Sequence, residues 1–291
     1  GGAVPALELD AGTYVRVRGD VALDIAGQSL VGRFTFEQIT TDDDEQIVKV
    51  AATAVTIDLD VIQITDASGA LLINNMGIAG ELTLTAALNL DAIPGLTATG
   101  TATVQVNTTP VAIDETFTFT GGDTVQLVLP AGQYLRVEVT IPTNGLQLDI
   151  GGSTGSVSAS GTLALERITR DDGTQITLIG LTDFTAEVDV DGNTATVSNG
   201  EGALAVVDTG IAGIISGEID IAAGPVGAGG TVTVRLNTSG VGVDEVIEIG
   251  GRSLPIRFGD GEGNVFQVSV SGLSLNIGDF VTIEGDVTFD G

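Results

Sequence analysis

The chain repeats itself. Gly69-Ala70-Leu71 followed by Gly77-Ile78-Ala79-Gly80 returns as Gly202-Ala203-Leu204 followed by Gly210-Ile211-Ala212-Gly213, an offset of 133 residues (69 to 202). Glu37-Gln38-Ile39-Thr40 with Asp42-Asp43 returns as Glu166-Arg167-Ile168-Thr169 with Asp171-Asp172, an offset of 129 (37 to 166). Asn107-Thr108 with Asp114-Glu115 returns as Asn237-Thr238 with Asp244-Glu245, an offset of 130 (107 to 237). Independent matches at nearly one offset constrain the fold before any single segment is assigned, because each copy has to solve the same burial problem with the same elements. The ends extend the pattern. Ala11-Gly12-Thr13-Tyr14-Val15-Arg16-Val17 matches Ala131-Gly132-Gln133-Tyr134-Leu135-Arg136-Val137 and, more loosely, Gly263-Asn264-Val265-Phe266-Gln267-Val268. The 291 residues therefore divide into the end of a preceding copy (1–10), copy one (11–130), copy two (131–262) and the start of a third (263–291), which reads as a piece of something longer.

Within the copies, apolar and polar residues alternate with period two, as in Arg33-Phe34-Thr35-Phe36-Glu37, Glu81-Leu82-Thr83-Leu84-Thr85 and Thr231-Val232-Thr233-Val234-Arg235. That is the pattern of half-buried strands, and no segment sustains a helical period. Turn formers separate the strands at Thr143-Asn144-Gly145, Asp171-Asp172-Gly173 and Asp191-Gly192-Asn193. The copy boundary Leu129-Pro130-Ala131-Gly132-Gln133 is itself only a turn, too short for a linker. The expected fold is all-β and antiparallel, with tandem copies of about 130 residues packed end to end into an elongated sandwich- or tube-like body.

Composition narrows the chemistry. The formal charge of −29 and the presence of 10 Lys and Arg against 39 Asp and Glu argue against nucleic acid, which is held mainly by cations on its phosphates. The absence of Cys, His and Trp removes Ser-His-Asp and Cys-His catalysis, thiolate and imidazole metal sites, and disulfides. No apolar run reaches the roughly 18 residues of a membrane helix, and a membrane porin is disfavoured because aromatics, 4% of the chain, cannot form girdles. What remains is carboxylates, hydroxyls and backbone, which suit hard cations, hydration and structure.

Calcium is the first ligand these residues suggest. Asp58-Leu59-Asp60 and its counterpart Asp189-Val190-Asp191 lie at strand ends, where positions i and i+2 share a face, so Asp58, Asp60, Asp189 and Asp191 are the candidate metal ligands. The alternative is that these acids solvate turns and blunt strand edges. Asp208-Thr209-Gly210 superficially matches an aspartic-protease loop, but that chemistry needs a carboxylate pair and the counterpart is Asn75-Met76-Gly77, so a turn is the better reading. Arg18-Gly19-Asp20 continues a strand pattern. Asn107-Thr108-Thr109 and Asn237-Thr238-Ser239 read either as glycosylation acceptors or as turn chemistry. No residue is assigned a catalytic or cofactor-binding role.

The Ala-Gly-x-Tyr-hydrophobic-Arg-Val segments at 11–17 and 131–137, together with the Glu-x-Ile-Thr-x-Asp-Asp segment, resemble the tandem arrays of very large bacterial extracellular and surface, adhesin-like proteins. That resemblance implies an extracellular or cell-surface location and a non-catalytic, stalk-like role, with neighbouring copies, or other chains in a fibre or layer, as partners. The expected function is a structural segment: a stalk, fibre or surface-layer component. The alternatives are a calcium-dependent or glycan-binding adhesion module and an elongated conduit for apolar ligand, the last favoured if contiguous Val, Ile and Leu line unfilled volume.

Overall fold

A computed structural model of the chain describes residues 14–25, 28–40, 46–59, 62–89, 96–118, 124–132, 134–150, 155–169, 173–278 and 280–290. These residues form β1 (Tyr14–Ile25), β2 (Gln28–Thr40), β3 (Gln46–Leu59), β4 (Ile62–Asn74), β5 (Gly77–Asn89), β6 (Leu96–Asn107), β7 (Ile113–Thr118), β8 (Thr124–Leu129) and β9 (Tyr134–Ile150). They continue with β10 (Gly155–Thr169), β11 (Gln175–Val190), β12 (Asn193–Val207), β13 (Gly210–Ala223), β14 (Val226–Asn237), β15 (Val243–Ile249), β16 (Arg252–Phe258), β17 (Val265–Ile277) and β18 (Val281–Asp290).

The long strands join one 14-stranded sheet in the order β1-β2-β3-β4-β5-β6-β9-β10-β11-β12-β13-β14-β17-β18, every neighbouring pair antiparallel. The short strands β7–β8 and β15–β16 are separate two-stranded hairpins. The chain is all-β and antiparallel, as the alternation implied. In place of a sandwich or a tube for each copy, the described residues form a single large sheet with the two hairpins packed on one of its faces.

That face holds the main core. Ile247, Ile249, Ile256 and Phe258 of the second hairpin bury themselves on Ala164, Ile176, Leu178, Ala203, Ala205 and Ala212 of the sheet. Ile113, Phe117, Leu127 and Leu129 of the first do the same on Ala70, Leu72, Ala79 and Tyr134. The recurrent Gly-Ala-Leu and Gly-Ile-Ala-Gly segments acquire a physical meaning here. Ala70, Ala79, Ala203 and Ala212 are small because a hairpin lies on them, each being no more than 3% exposed. Their neighbours point to the opposite face, where Leu71 lies over Gly80 and Leu204 over Gly213. A Cβ on those glycines would come within 2.4 Å and 2.6 Å of the leucine methyls.

Six strands carry a bulge near mid-height, each marked by a residue in the left-handed region: Ala54 in β3, Asp66 in β4, Asn144 in β9, Asp183 in β11, Asn199 in β12 and Gly272 in β17. Thr143-Asn144-Gly145, expected as a turn, is one of them and lies inside the 17-residue strand β9. Its turn chemistry is used to insert residues without reversing the chain, since Asn tolerates positive φ at low cost.

Candidate functional site

The sheet has two chemically distinct faces. On the hairpin side the strands present charges and hydroxyls wherever no hairpin covers them. Arg136 of β9 is the centre of one such cluster. Its guanidinium donates to Glu138 at 2.6 Å, to Glu166 at 2.8 Å, and to the backbone carbonyl of Glu248 in the second hairpin. Burial works against its charge, but the hydrogen bonds to Glu138 and Glu166 outweigh that and raise its pKa. Next to it, Tyr134 donates its hydroxyl to Gln105 at 3.3 Å, and Gln105 in turn donates to Glu81 at 2.6 Å. Elsewhere on this side Thr83 and Thr103, and Thr140 and Thr162, pair through their hydroxyls at 3.3 Å. The cluster can hold strands and hairpin together. It offers no activated nucleophile, because its carboxylates are spent on Arg136 and on Gln105.

Burial, and after it the negative charge of Glu166, pushes the Tyr134 phenol up to about 12. The folded state therefore holds this proton more tightly than the unfolded chain, whose phenol ionises near 10. Stability from this group is complete below about pH 10 and is lost as the pH rises toward 12, a change of about 2–3 kcal/mol for a two-unit shift. With two Tyr and no Trp in the chain, ultraviolet difference titration should resolve one late-ionising phenol. Tyr134→Phe should remove that late step and flatten the alkaline loss of stability; an unchanged titration would contradict the assignment.

Ahead of each hairpin a buried asparagine clasps it to the sheet. Asn107 donates through Nδ2 to the carbonyls of Val111 at 2.9 Å and Pro130 at 2.6 Å, while Oδ1 accepts from the backbone N–H and the hydroxyl of Thr109. Asn237 makes the same set, donating to Val241 at 2.9 Å and Glu262 at 2.7 Å and accepting from Ser239. Both amides are fully buried with Nδ2 twice committed, so the glycosylation reading of these tripeptides does not fit the folded chain. Of the two sequence alternatives, turn chemistry is the one the geometry uses.

The metal candidates fare differently from one another. Asp60 lies outside the described residues, and Asp58 lies within β3. Asp189 accepts from the backbone N–H of Gly192 at 3.0 Å, and Asp191 occupies the left-handed first position of the Asp191-Gly192 turn. Asp191 thus leaves the extended conformation on which an i, i+2 alignment rests. Among the described residues no group of three or more acids is placed to hold a metal ion. Asp208-Thr209 is the turn between β12 and β13, and Arg18-Gly19-Asp20 lies inside β1, with Asp20 paired to Arg33 at 3.1 Å.

The opposite face is apolar from edge to edge. Reading across the register, one row runs Val104, Val137, Leu165, Ile179, Leu204, while a row on the far side of the bulges runs Val157, Val188, Ala195, Ile221, Ala228, Leu275. Sequence reasoning missed this face. The signal was present as a slip in the alternation, for example Ile179, Leu181, then Phe184, Ala186, Val188 in β11, where the extra residue at the bulge restores the apolar side. Comparison with family models, curated proteins and solved structures finds no match to this chain.

Proposed function

We propose that the chain is a non-catalytic structural segment of a long extracellular bacterial protein, in which successive copies add their strands to one sheet and so build a stalk, fibre or surface-layer component. The observation that carries this reading is the strand pairing across the copy boundaries. β6, the last long strand of copy one, pairs with β9, the first of copy two, from Leu96↔Leu148 to Asn107↔Tyr134. β14 pairs with β17 in the same way, from Val226↔Ile277 to Asn237↔Val265. A main-chain ladder at each boundary leaves no hinge, and the stability of such an array is a sum of copy and nearest-neighbour terms. The chain's excess of carboxylates keeps it hydrated and discourages nonspecific association.

Small-angle scattering on this chain and on a version with copy two duplicated in frame tests the reading. The expected result is a longer maximum dimension at an unchanged cross-section. Two scattering bodies with variable separation would overturn it. No arrangement of described residues gives comparable support to a calcium-dependent or glycan-binding module.

A further inference from the structure

We propose that the apolar face of the sheet is a trough that holds the hydrocarbon chains of lipids with uncharged or zwitterionic headgroups. This goes beyond the structural reading: the sheet's continuity does not require it, and its failure would leave the pairing across the boundaries intact.

The face is built, because the phase of every strand is set to produce it. In β13 the residues Ile211, Ile215, Ile219 and Ile221 share one side with no irregularity, and their partners in β14 follow without a break. In β12 the register shifts between Ser198 and Glu201, so Leu204 on one side of the bulge and Val197 and Ala195 on the other reach the same face. A one-residue slip would otherwise turn the second half of the strand over. The bulges in β3, β4, β9, β11 and β17 make the same correction. Without them half the strands would present Thr, Ser and carboxylates there.

Over β9–β14, β17 and β18 the face is also uncovered by described residues. Both hairpins pack on the other side, where Ile247 is 0% exposed, whereas Leu163 is 44%, Ile215 48% and Phe266 50% exposed. These eight strands at about 4.8 Å spacing and about 12 residues each at 3.3 Å give a surface of roughly 40 Å by 40 Å, about 1,500 Å². The largest apolar patch on an ordinary soluble monomer is about 300–600 Å². A surface several times that size has an occupant.

Chemistry and shape choose among occupants. The backbone groups of this face are paired within the sheet, and its one charged strand position among the described residues is Arg167, which is paired with Gln175. Its hydrogen-bonding side chains, Arg167, Gln175, Thr177 and Gln38, stand near one end of the strands, so the rest of the face recognises hydrocarbon. The face is creased along the line of bulges. Glycines stand where a Cβ on this side would strike the neighbouring strand, 2.1 Å from the Glu81 carbonyl oxygen at Gly69 and 2.9 Å from the Phe184 Cα at Gly161, as on the inner side of a bend. In copy one Phe34, Val55 and Ala67 are buried on this face against Phe36, Ala52, Leu82 and Leu84 of the same sheet. Two rigid creased copies would meet only at their rims, whereas fluid chains fill a crease of any angle. The charge of −29 repels anionic headgroups and leaves uncharged or zwitterionic ones.

The test incubates the purified chain with phosphatidylcholine vesicles carrying a trace of fluorescent phosphatidylcholine, removes vesicles by flotation, and measures label and mass of the protein fraction by size exclusion with light scattering. The expected result is several lipids on a monomeric chain, reduced at least tenfold in Leu163→Asp/Ile215→Asp. These sites are solvent-exposed, so circular dichroism and melting should match the parent. Val128→Asp, on the outer side of the first hairpin, should bind as the parent does. Three results would each overturn the proposal: no retained label; co-flotation of protein with vesicles, which would mean adsorption to a bilayer; or a lipid-free dimer abolished by the Leu163/Ile215 substitutions, which would make a second copy the occupant. If that double variant melts early, Phe266→Asp alone carries the comparison, and undiminished binding by it would count against the trough.

Discussion

Asn237→Ala is expected to release the second hairpin from the sheet at a cost of about 3–4 kcal/mol, among the largest single-residue effects in the chain. The amide is 1% exposed and fully used, so its removal leaves the Glu262 carbonyl and the Ser239 N–H without their partners and the Val241 carbonyl with the Ser239 hydroxyl alone. Each buried polar group left unsatisfied costs about 1–3 kcal/mol, more than the net worth of the bond it had made. Asn237→Asp should be as harmful, because it keeps the acceptor but replaces a double donor by a buried negative charge. The loss should be local. Hydrogen exchange should show β15–β16 losing protection while β7–β8, held by Asn107, keeps it. Asn193 makes one exposed hydrogen bond to Val190, and Asn193→Ala should cost well under 1 kcal/mol by comparison. Equal effects at 193 and 237 would show that the clasp does not hold the hairpin.

The Asn-Thr-Thr and Asn-Thr-Ser tripeptides show how far the amino-acid sequence could be read. Their recurrence was visible, and so was turn chemistry as one of two readings. What could not be seen is that each amide reaches 4 residues forward and 23 or 25 residues forward at once, to Val111 and Pro130 or to Val241 and Glu262. A contact across a hairpin has no signature in local spacing. The alternation in Arg33-Phe34-Thr35-Phe36-Glu37 and its equivalents was enough for strand type, because period two is a local property. It was not enough for strand length. Thr143-Asn144-Gly145 has the composition of a turn, and only the ladder on both sides of it, with Ile141 opposite Gly161 and Leu146 opposite Ala159, makes it a bulge inside β9. Asp189 and Asp191 show the converse limit: the turn claims Asp191, and a strand rule stops applying where the strand ends.

One unit therefore meets three demands with few residue types. Alanine floors accept a hairpin on one face, glycine under leucine keeps the other face close-packed, and the bulges hold the two faces in phase along strands longer than a simple alternation would keep in register with the sheet's bend. Among the described strand residues, charges other than Arg167 lie on the hairpin side, where Arg136 and Lys49 each bridge the sheet to a hairpin, Arg136 through the Glu248 carbonyl and Lys49 through Glu115 at 3.5 Å.

The fit between hairpin and floor should reverse the sign of a substitution. Ile247 is 0% exposed above Gly180, and a Cβ on Gly180 would stand 3.2 Å from Ile247 Cγ2 and 3.3 Å from its Cδ1, closer than ordinary van der Waals contact. Ile247→Ala should cost about 3–4 kcal/mol, the transfer energy of the lost atoms plus that of the cavity they leave. Gly180→Ala alone should destabilise by about 1 kcal/mol, because the β15–β16 hairpin has to lift by a few tenths of an ångström to admit the methyl. In the Ile247→Ala background both Ile247 contacts are gone, and only Ile249 Cγ2, at 3.3 Å, has to give way into the space left. The same Gly180→Ala change should then stabilise, by filling part of the cavity and by removing the backbone freedom that glycine gives the unfolded chain. A double-mutant cycle followed by denaturant melting reads the coupling directly, with an expected interaction of about 1–2 kcal/mol. Additive effects would mean that Ile247 does not rest on Gly180, and that the hairpin is held by Asn237 and Arg136 without the packing beneath it.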